Sequence, residues 1–414
     1  MNGNKGGIMR LVKSCVGLIL LGLIWSCSPK LNKPSQKKSG QETNVNTTPA
    51  KPTPAKPAFT KARIALLLPF KLNQNDYRTA TKAQLDRLDI ALDYYQGFLL
   101  GIDSVSYGGL NFDINVYDTQ DQAAKIKALQ ERAELKNAHV IVGPIFPEEL
   151  KLFTGFSAQY QVPVVSPLAA SNPAEYANPH LISMVNHLDV HAENIGKYII
   201  SHYKPESGVL VIINPKKPED EVYASALKSY IKEQSPNLLI QEYTSINAFE
   251  TRMVRGKQYA VAITSADRPF VAATLDKLQK IAKLKASDFS FQAFGHPTWM
   301  KQNYPVQTLQ ALKTIVSSAY HVDYKSSAVI NFVKSYRAKF NFEPSEYAFK
   351  GYDLGVFIGK LLHQYGDDFA KHIVNFPYQG IQQHYNFSFD KNMGFYNTDL
   401  ILLQYKNLSL QIVQ

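Results

Sequence analysis

AHVIVGPIFPEELKLFTGFSAQYQVPVVSPLAAS, residues 138–171, is the stretch of sequence that decides the fold. HVIVG is a β-branched run that ends at a Gly-Pro pair, as buried strands commonly do. The segment that begins at Pro147 places Leu150, Phe153 and Phe156 at helical spacing. VPVVSP is a second apolar run, and it ends at Pro167. A strand, a helix and a strand in this order predict two parallel strands joined by a right-handed crossover.

The same alternation of apolar runs and amphipathic segments continues on both sides of this unit and restarts near residue 187. It predicts an α/β fold with two doubly wound parallel-sheet lobes. Two long helices without an intervening strand are expected at 327–340 and 347–365. The alternating residues after 386, with turn signals at DKNMG and YKN, predict antiparallel hairpins at the end of the chain.

The net charge of +11 is concentrated at the N-terminus. Residues 1–60 hold nine Lys or Arg and a single acid, Glu42, so that only +3 remains for the rest of the chain. A folded part this close to neutral argues against nucleic acid as a partner. Both cysteines, Cys15 and Cys27, precede residue 28, which excludes a thiol nucleophile, a disulfide and a thiolate metal site from the folded part.

The first 60 residues have the pattern of a leader and a tether. Basic residues precede a short apolar run that ends at IWSC, which is similar to the lipobox of bacterial lipoproteins. This resemblance implies a signal peptide over 1–26, with Cys27 as the lipidated N-terminus. A plain secretory peptide cut nearby or an uncleaved membrane anchor are the alternatives. Residues 27–60 are rich in Pro and Lys and predict a disordered spacer.

Five motifs together resemble a known family: IALLLPF, YYQGFLLGID, VIVGP, VPVVSP and the two-helix stretch at 332–362 with its Tyr352-Asp353 pair. They are similar to the type I periplasmic binding proteins, in particular the branched-chain amino-acid receptors. The resemblance implies two lobes joined by three crossovers, near His187, Ser318 and Pro377, with a ligand cleft between them. Lobe 1 would comprise 61–186 and 319–377, and lobe 2 would comprise 187–318 and 378–414.

In such sheets ligands bind beyond the carboxyl ends of the strands. The resemblance therefore implies a set of ligand-binding positions at these ends: Glu148, Glu149, Ser166, Ala170, Ser171, Tyr223, Thr264, Ser265 and His296. Two glutamates stand where amino-acid binders hold a carboxylate, so a neutral or cationic ligand, or none, is expected. The alternative for the glutamates is complementing the helix dipole, and for the Ser and Thr residues it is capping or turn formation.

No catalytic motif is present: a phosphate loop, a G-x-S-x-G elbow and an H-E-x-x-H pair are all missing from the sequence. His187 and His191 are four residues apart, but they straddle a predicted strand-to-helix boundary and do not predict a metal site. The sequence thus predicts neither an enzyme nor a bound cofactor.

Two functions of different classes fit these features. The first is a membrane-tethered binding protein on the periplasmic side of the cell envelope that holds a small polar solute for transport, with an ABC permease as partner, or for sensing. The second is a solute-free lipoprotein that regulates a peptidoglycan synthase. The EEL sequence that begins at Glu148 and the long tether resemble lipoproteins that activate such synthases.

Overall fold

A computed structural model describes residues 59–72, 79, 81–107 and 109–413, with the backbone alone for residues 83–87. The predicted signal peptide, the lipidation site at Cys27 and the tether up to residue 58 lie outside these residues. Within the described part, no helix has both the length and the apolar character required to cross a bilayer.

Strands and helices alternate along most of the described chain. The strands are β1 Lys61–Leu68, β2 Asn111–Asp118, β3 Val140–Val142, β4 Val164–Ser166, β5 Leu181–Ser183, β6 Gly208–Ile213, β7 Leu239–Tyr243, β8 Gln258–Ile263, β9 Ser290–Gly295, β10 Ile315–Ser318, β11 Tyr378–Gln379, β12 His384–Tyr385, β13 Phe387–Asp390, β14 Gly394–Asn397, β15 Ile401–Lys406 and β16 Ser409–Ile412. The helices are α1 Lys82–Val105, α2 Ala123–Gln130, α3 Ala133–Lys136, α4 Pro147–Tyr160, α5 Leu188–His202, α6 Pro218–Gln234, α7 Ile246–Glu250, α8 Arg268–Leu284, α9 Val306–Ala311, α10 Ser327–Phe340 and α11 Glu346–Tyr365. Three 3₁₀ segments complete the set, at Pro173–Tyr176, Pro297–Lys301 and Gly366–Asn375.

Fourteen of the sixteen strands in the described residues form two seven-stranded sheets, which confirms the predicted pair of α/β lobes, and β11 pairs with β12 alone. The first sheet has the order β13-β14-β5-β4-β3-β1-β2, and the second has the order β16-β15-β10-β9-β8-β6-β7. β1 to β5 are mutually parallel, as are β6 to β10. Fully buried runs such as β6 and β3 lie inside their sheets with a strand on each side, as expected for parallel sheets covered on both faces. We call these sheets with their helices the first and second lobes.

The chain passes between the sheets three times, and the third passage differs from the prediction. The first two lie between β5 and α5 and after β10, close to the predicted His187 and Ser318. The third was expected near Pro377, which would put residues 378–414 in lobe 2. Instead, β14 pairs with β5 of the first sheet, so the crossing falls between Asn397 and Ile401. The expected domain boundary at 377 is therefore wrong.

Asp353 in α11 holds the segment that precedes β12 in place. Its carboxylate oxygens accept hydrogen bonds from the backbone N–H groups of Ile381, Gln382 and Gln383 at 2.8, 2.9 and 2.9 Å. The side chain is fully buried, and this burial raises its pKa to about 7 against the opposing effect of the three donors. A helix residue in the first lobe thus fixes a loop beside the passages between lobes.

Candidate functional site

A cavity of about 320 Å³ is lined by residues of both lobes and of the first two passages between them. The lining residues are Leu168, Ala170, Val185, Asn186, Leu188, His191, Pro297, Thr298, Met300, Lys301, Ser317, Ser318, Ala319, Tyr320, Lys350 and Gln383. Its size lies at the lower end of the roughly 300–1,000 Å³ typical of small-molecule sites. The cavity is therefore suited to a small solute.

Strand ends position most of this wall. Leu168 and Ala170 follow β4, the segment from Pro297 to Met300 follows β9, and Ser317 and Ser318 end β10. In parallel sheets the carboxyl ends of neighbouring strands meet at one edge, so these loops converge. Pro167 directly after β4 and Pro297 shortly after β9 help to end these strands, because proline lacks the N–H group that a sheet requires.

Two buried histidines lie in and behind this wall. The Nδ1 atom of His191 is 2.9 Å from the hydroxyl of Ser317, and Nδ1 of His296 is 2.8 Å from the hydroxyl of Thr298. Burial, with smaller contributions from the neighbouring His296 and His187, lowers the pKa of His191 to about 3. Burial also lowers the pKa of His296 to about 4. Both imidazoles are therefore neutral near pH 7 and serve as hydrogen-bonding groups.

Two lysines of the cavity wall, Lys301 and Lys350, lie near the single carboxylate of Glu346 and form a positively charged corner. Nζ of Lys301, in the second lobe, is 3.2 Å from Oε1 of Glu346, in the first lobe. The same oxygen is 3.7 Å from Nζ of Lys350. The Lys350 ammonium also lies over the rings of Tyr320 and Tyr347, 5.2 and 5.3 Å from their centroids. One carboxylate is thus shared between two lysines at the boundary between the lobes.

Of the nine sequence-predicted ligand positions, Ala170 lines the cavity. His296 and Tyr223 lie behind the wall, with their rings 5.1 Å apart, and His296 also accepts the backbone N–H of Thr298. Thr264 is buried, with its hydroxyl donating to the carbonyl of Ile213 at 3.4 Å. Ser265 accepts the N–H of Asp267, as the capping and turn alternative expected. Ser166 is buried in β4, and Ser171 is half-buried without lining the cavity.

Glu148 and Glu149 are not among the residues that line this cavity, so they give no support there to a cationic ligand. Both lie in the first turn of α4, where acidic side chains suit the helix dipole. Glu148 is exposed. Glu149 is buried, which raises its pKa to about 7, and its nearby charges include Asp121, Lys71 and Asp118.

Sequence reasoning missed the residues that give the cavity its polarity, namely Lys350, Lys301, Gln383 and His191. A signal for one of them was available. Lys350 and Asp353 are the charged residues within the otherwise uncharged stretch 347–359 of α11. Charged groups on a helix that is apolar on all sides are expected to be buried and partnered.

Acidification should reduce the stability of the wild-type protein relative to H296Q. The folded-state pKa of about 4 for His296 lies below its ordinary 6.5, so its stabilising contribution is complete above 6.5 and is lost as the pH falls toward 4. Between about pH 7.5 and pH 5 the difference in free energy of unfolding should change by about 2 kcal/mol. Urea titrations of both proteins at the two pH values measure it.

Glutamine is the replacement because its amide oxygen can still accept the Thr298 N–H. The pKa values of Glu149 and Asp353 are raised to about 7, so these groups make the free energy of unfolding rise as the pH falls. Both proteins contain them, so their effect cancels in the difference. A difference that does not change with pH would contradict a buried neutral His296.

Comparisons with known proteins agree with this architecture. A family model described as periplasmic binding protein matches residues 87–407, most of the chain. The chain belongs to the periplasmic binding protein family. This membership confirms the family resemblance and the two-lobe fold, and it describes a family of binding proteins rather than of enzymes. It also implies a periplasmic location. No curated protein matches the chain in a sequence search.

Solved structures share the fold of this binding protein at low sequence identity. A putative branched-chain amino acid ABC transporter protein from Rhodospirillum rubrum is 14% identical, with a TM-score of 0.62, over 85% of this chain and 100% of that one. An ABC transporter substrate-binding protein from Desulfitobacterium hafniense in complex with Leu is also 14% identical, with a TM-score of 0.53, over 85% and 100% of the two chains. The C-domain of LpoA from Haemophilus influenzae, a regulator of PBP1A, is 15% identical, with a TM-score of 0.56 and the same coverage.

No group of three or more His, Cys, Asp or Glu side chains in the described part of the chain is arranged to hold a metal ion. His187 and His191, whose four-residue spacing was considered as a metal-binding pattern, lie beside Asp189 and Ser317 respectively. The chemistry available at the cavity is hydrogen bonding, apolar contact and positive charge.

Proposed function

We propose that this periplasmic binding protein, tethered to a membrane through lipidated Cys27, holds a small solute in the cavity between its lobes, for transport or sensing. The observation that carries the proposal is the cavity itself, because both lobes and the passages between them contribute to its wall. Closure of two lobes about such passages is a known way to enclose a ligand. An ABC permease is the partner for transport.

The alternative is a solute-free lipoprotein that regulates a peptidoglycan synthase. The LpoA C-domain and the amino-acid receptors resemble this chain to a similar degree, so the shared fold is compatible with both functions. A cavity with buried polar groups favours the solute, since such groups are stabilised when a ligand completes their hydrogen bonds.

A170W should abolish solute binding. Ala170 is exposed at the cavity wall, so an indole there fills the space without replacing a core residue. A panel of amino acids, carboxylates, short peptides and cell-wall fragments is first screened by thermal shift against the wild-type protein. A solute present at 100 times its Kd adds about 2.7 kcal/mol of stability. For every hit, the shift should disappear in A170W.

The matched control is A273W, on the exposed face of α8 and away from the cavity. This variant should show the same ligand-induced increase in melting temperature as the wild-type protein. Hits that survive in A170W would place binding elsewhere. The absence of any hit across a broad panel, together with direct binding of the purified protein to a purified peptidoglycan synthase, would favour the alternative.

A further inference from the structure

Lys350 is a buried cation with unused hydrogen-bonding capacity at the cavity wall. Its residue is 9% exposed, yet its ammonium carries three N–H donors. The nearest carboxylate oxygen, Oε1 of Glu346, is 3.7 Å away, which exceeds hydrogen-bond distance. In the described part of the chain Nζ has no acceptor at hydrogen-bond distance, and its longer interaction with Glu346 only partly opposes the lowering of the Lys350 pKa by burial. A buried ammonium in this state is stabilised by any acceptor that enters the cavity.

The charge around Lys350 is positive overall. Glu346 is shared with Lys301, whose Nζ is closer to it, at 3.2 Å. Two cations and one carboxylate leave one positive charge uncompensated at this corner. The aromatic faces of Tyr320 and Tyr347 contact the ammonium and contribute a weaker attraction that does not neutralise it.

The remaining wall offers no negative charge. The lining residues include two lysines but neither Asp nor Glu. A positively charged ligand group would therefore meet repulsion from the lysines and no carboxylate to pair with. The wall also presents apolar side chains, namely Leu168, Val185, Leu188 and Met300, which suit a hydrocarbon body.

We propose that the ligand is a small monocarboxylate with an apolar body, whose carboxylate binds the Lys350 ammonium, and that a ligand ammonium group weakens binding. This inference rests on the proposed function, since it names the class of solute that the same cavity takes. It separates the protein from a receptor for zwitterionic amino acids, because the lining offers their ammonium group two lysines of like charge and no carboxylate.

Three ligands that share the same branched hydrocarbon chain and differ in their charged group test the proposal directly. These are 4-methylpentanoate, L-leucine and 3-methylbutylamine, which carry an anionic, a zwitterionic and a cationic head. Isothermal titration of the full chain should give the order anion, then zwitterion, with the amine weakest. K350Q should weaken binding of 4-methylpentanoate by about 10- to 100-fold, the loss of a hydrogen bond to a charged group. K350R should retain most of the affinity.

K334Q is the matched control, because Lys334 is exposed on α10 and does not line the cavity. Its affinity for 4-methylpentanoate should equal that of the wild-type protein. Circular dichroism melts verify that K350Q is folded, and K350R provides an independent variant if it is not.

The outcomes separate this inference from the function on which it rests. Tightest binding of L-leucine or of the amine, or an unchanged affinity in K350Q, would overturn the monocarboxylate assignment while leaving a solute-binding protein. Failure of all three ligands to bind the wild-type protein would also overturn the assignment. The function itself would then depend on the broader panel and on A170W.

Discussion

G97A should lower the free energy of unfolding by about 3 kcal/mol. A Cβ atom at Gly97 of α1 would lie 1.9 Å from the backbone carbonyl oxygen of Ala348 in α11. Gly351 of α11 faces α1 in the same way, since a Cβ atom added there would lie 2.1 Å from the carbonyl oxygen of Tyr94. A backbone atom cannot rotate away as a side chain can, so α1 and α11 would have to separate. The contact between these two helices is the most extensive one between elements of the first lobe.

G155A is the matched control for this substitution. Gly155 lies on the exposed face of α4, where a Cβ atom would meet nothing within 4 Å. Alanine there should stabilise the protein by roughly 0.5–1 kcal/mol, since it restricts the unfolded chain. Urea titration of both variants gives the comparison. Equal stabilities for G97A and G155A would contradict the close contact of α1 with α11.

D353A should destabilise the protein by about 4 kcal/mol, because it leaves three backbone N–H groups without their acceptor at a cost of about 1–3 kcal/mol each. Two of these bonds, to Gln382 and Gln383, are fully buried. Gln383 also lines the cavity, so the variant should weaken solute binding as well. Urea titration and ligand titration measure the two effects.

D103A is the control for D353A, because it removes the same side chain from an exposed ion pair with Lys339 at 2.7 Å. Such surface pairs contribute less than about 1 kcal/mol. D353N, which keeps one acceptor oxygen, should fall between the two alanine variants. A loss for D353A as small as that for D103A would show that the segment before β12 does not depend on the carboxylate.

The order of elements could be predicted from the sequence because each strand of the parallel core has its own local sequence signal. HVIVG and VPVVSP carry both their apolar character and their own stop signals, and the structure places β3 and β4 within them. The 3.6-residue period likewise predicted α10 over Ser327–Phe340 as observed. Local rules suffice where a run of residues determines its own end.

Partner choice for the last strands could not be predicted, because no local signal encodes it. GFYN of β14 pairs with β5, which lies about 200 residues earlier. Gly394, with φ of +70°, allows the hairpin to approach the carbonyl oxygen of Leu181, where a Cβ atom would be 2.4 Å away. The alternation pattern predicted the hairpin, but the expected assignment of residues 378–414 to lobe 2 put it in the wrong sheet.

The sequence indicated which strand-end loops lie near the cavity, but it did not indicate which charged residues line it. Strand-end topology located Ala170 at the cavity, and Pro297 directly follows the predicted His296. Other polar groups of the wall come from a helix interior, as with Lys350, or from the segment before β12, as with Gln383. Whether a helical lysine faces solvent or a cavity depends on the packing of the whole lobe, which a residue window does not contain.

Each sheet is completed by a hairpin that comes late in the described chain. β14 covers the outer side of β5, and β15 covers the outer side of β10, although these partners are made far earlier. The chain enters the periplasm from its N-terminus, so a chain that has emerged only as far as residue 386 leaves an open backbone edge on each sheet. Such edges recruit other strands. A holdase chaperone that protects them until the last residues emerge would therefore raise the yield of the native protein.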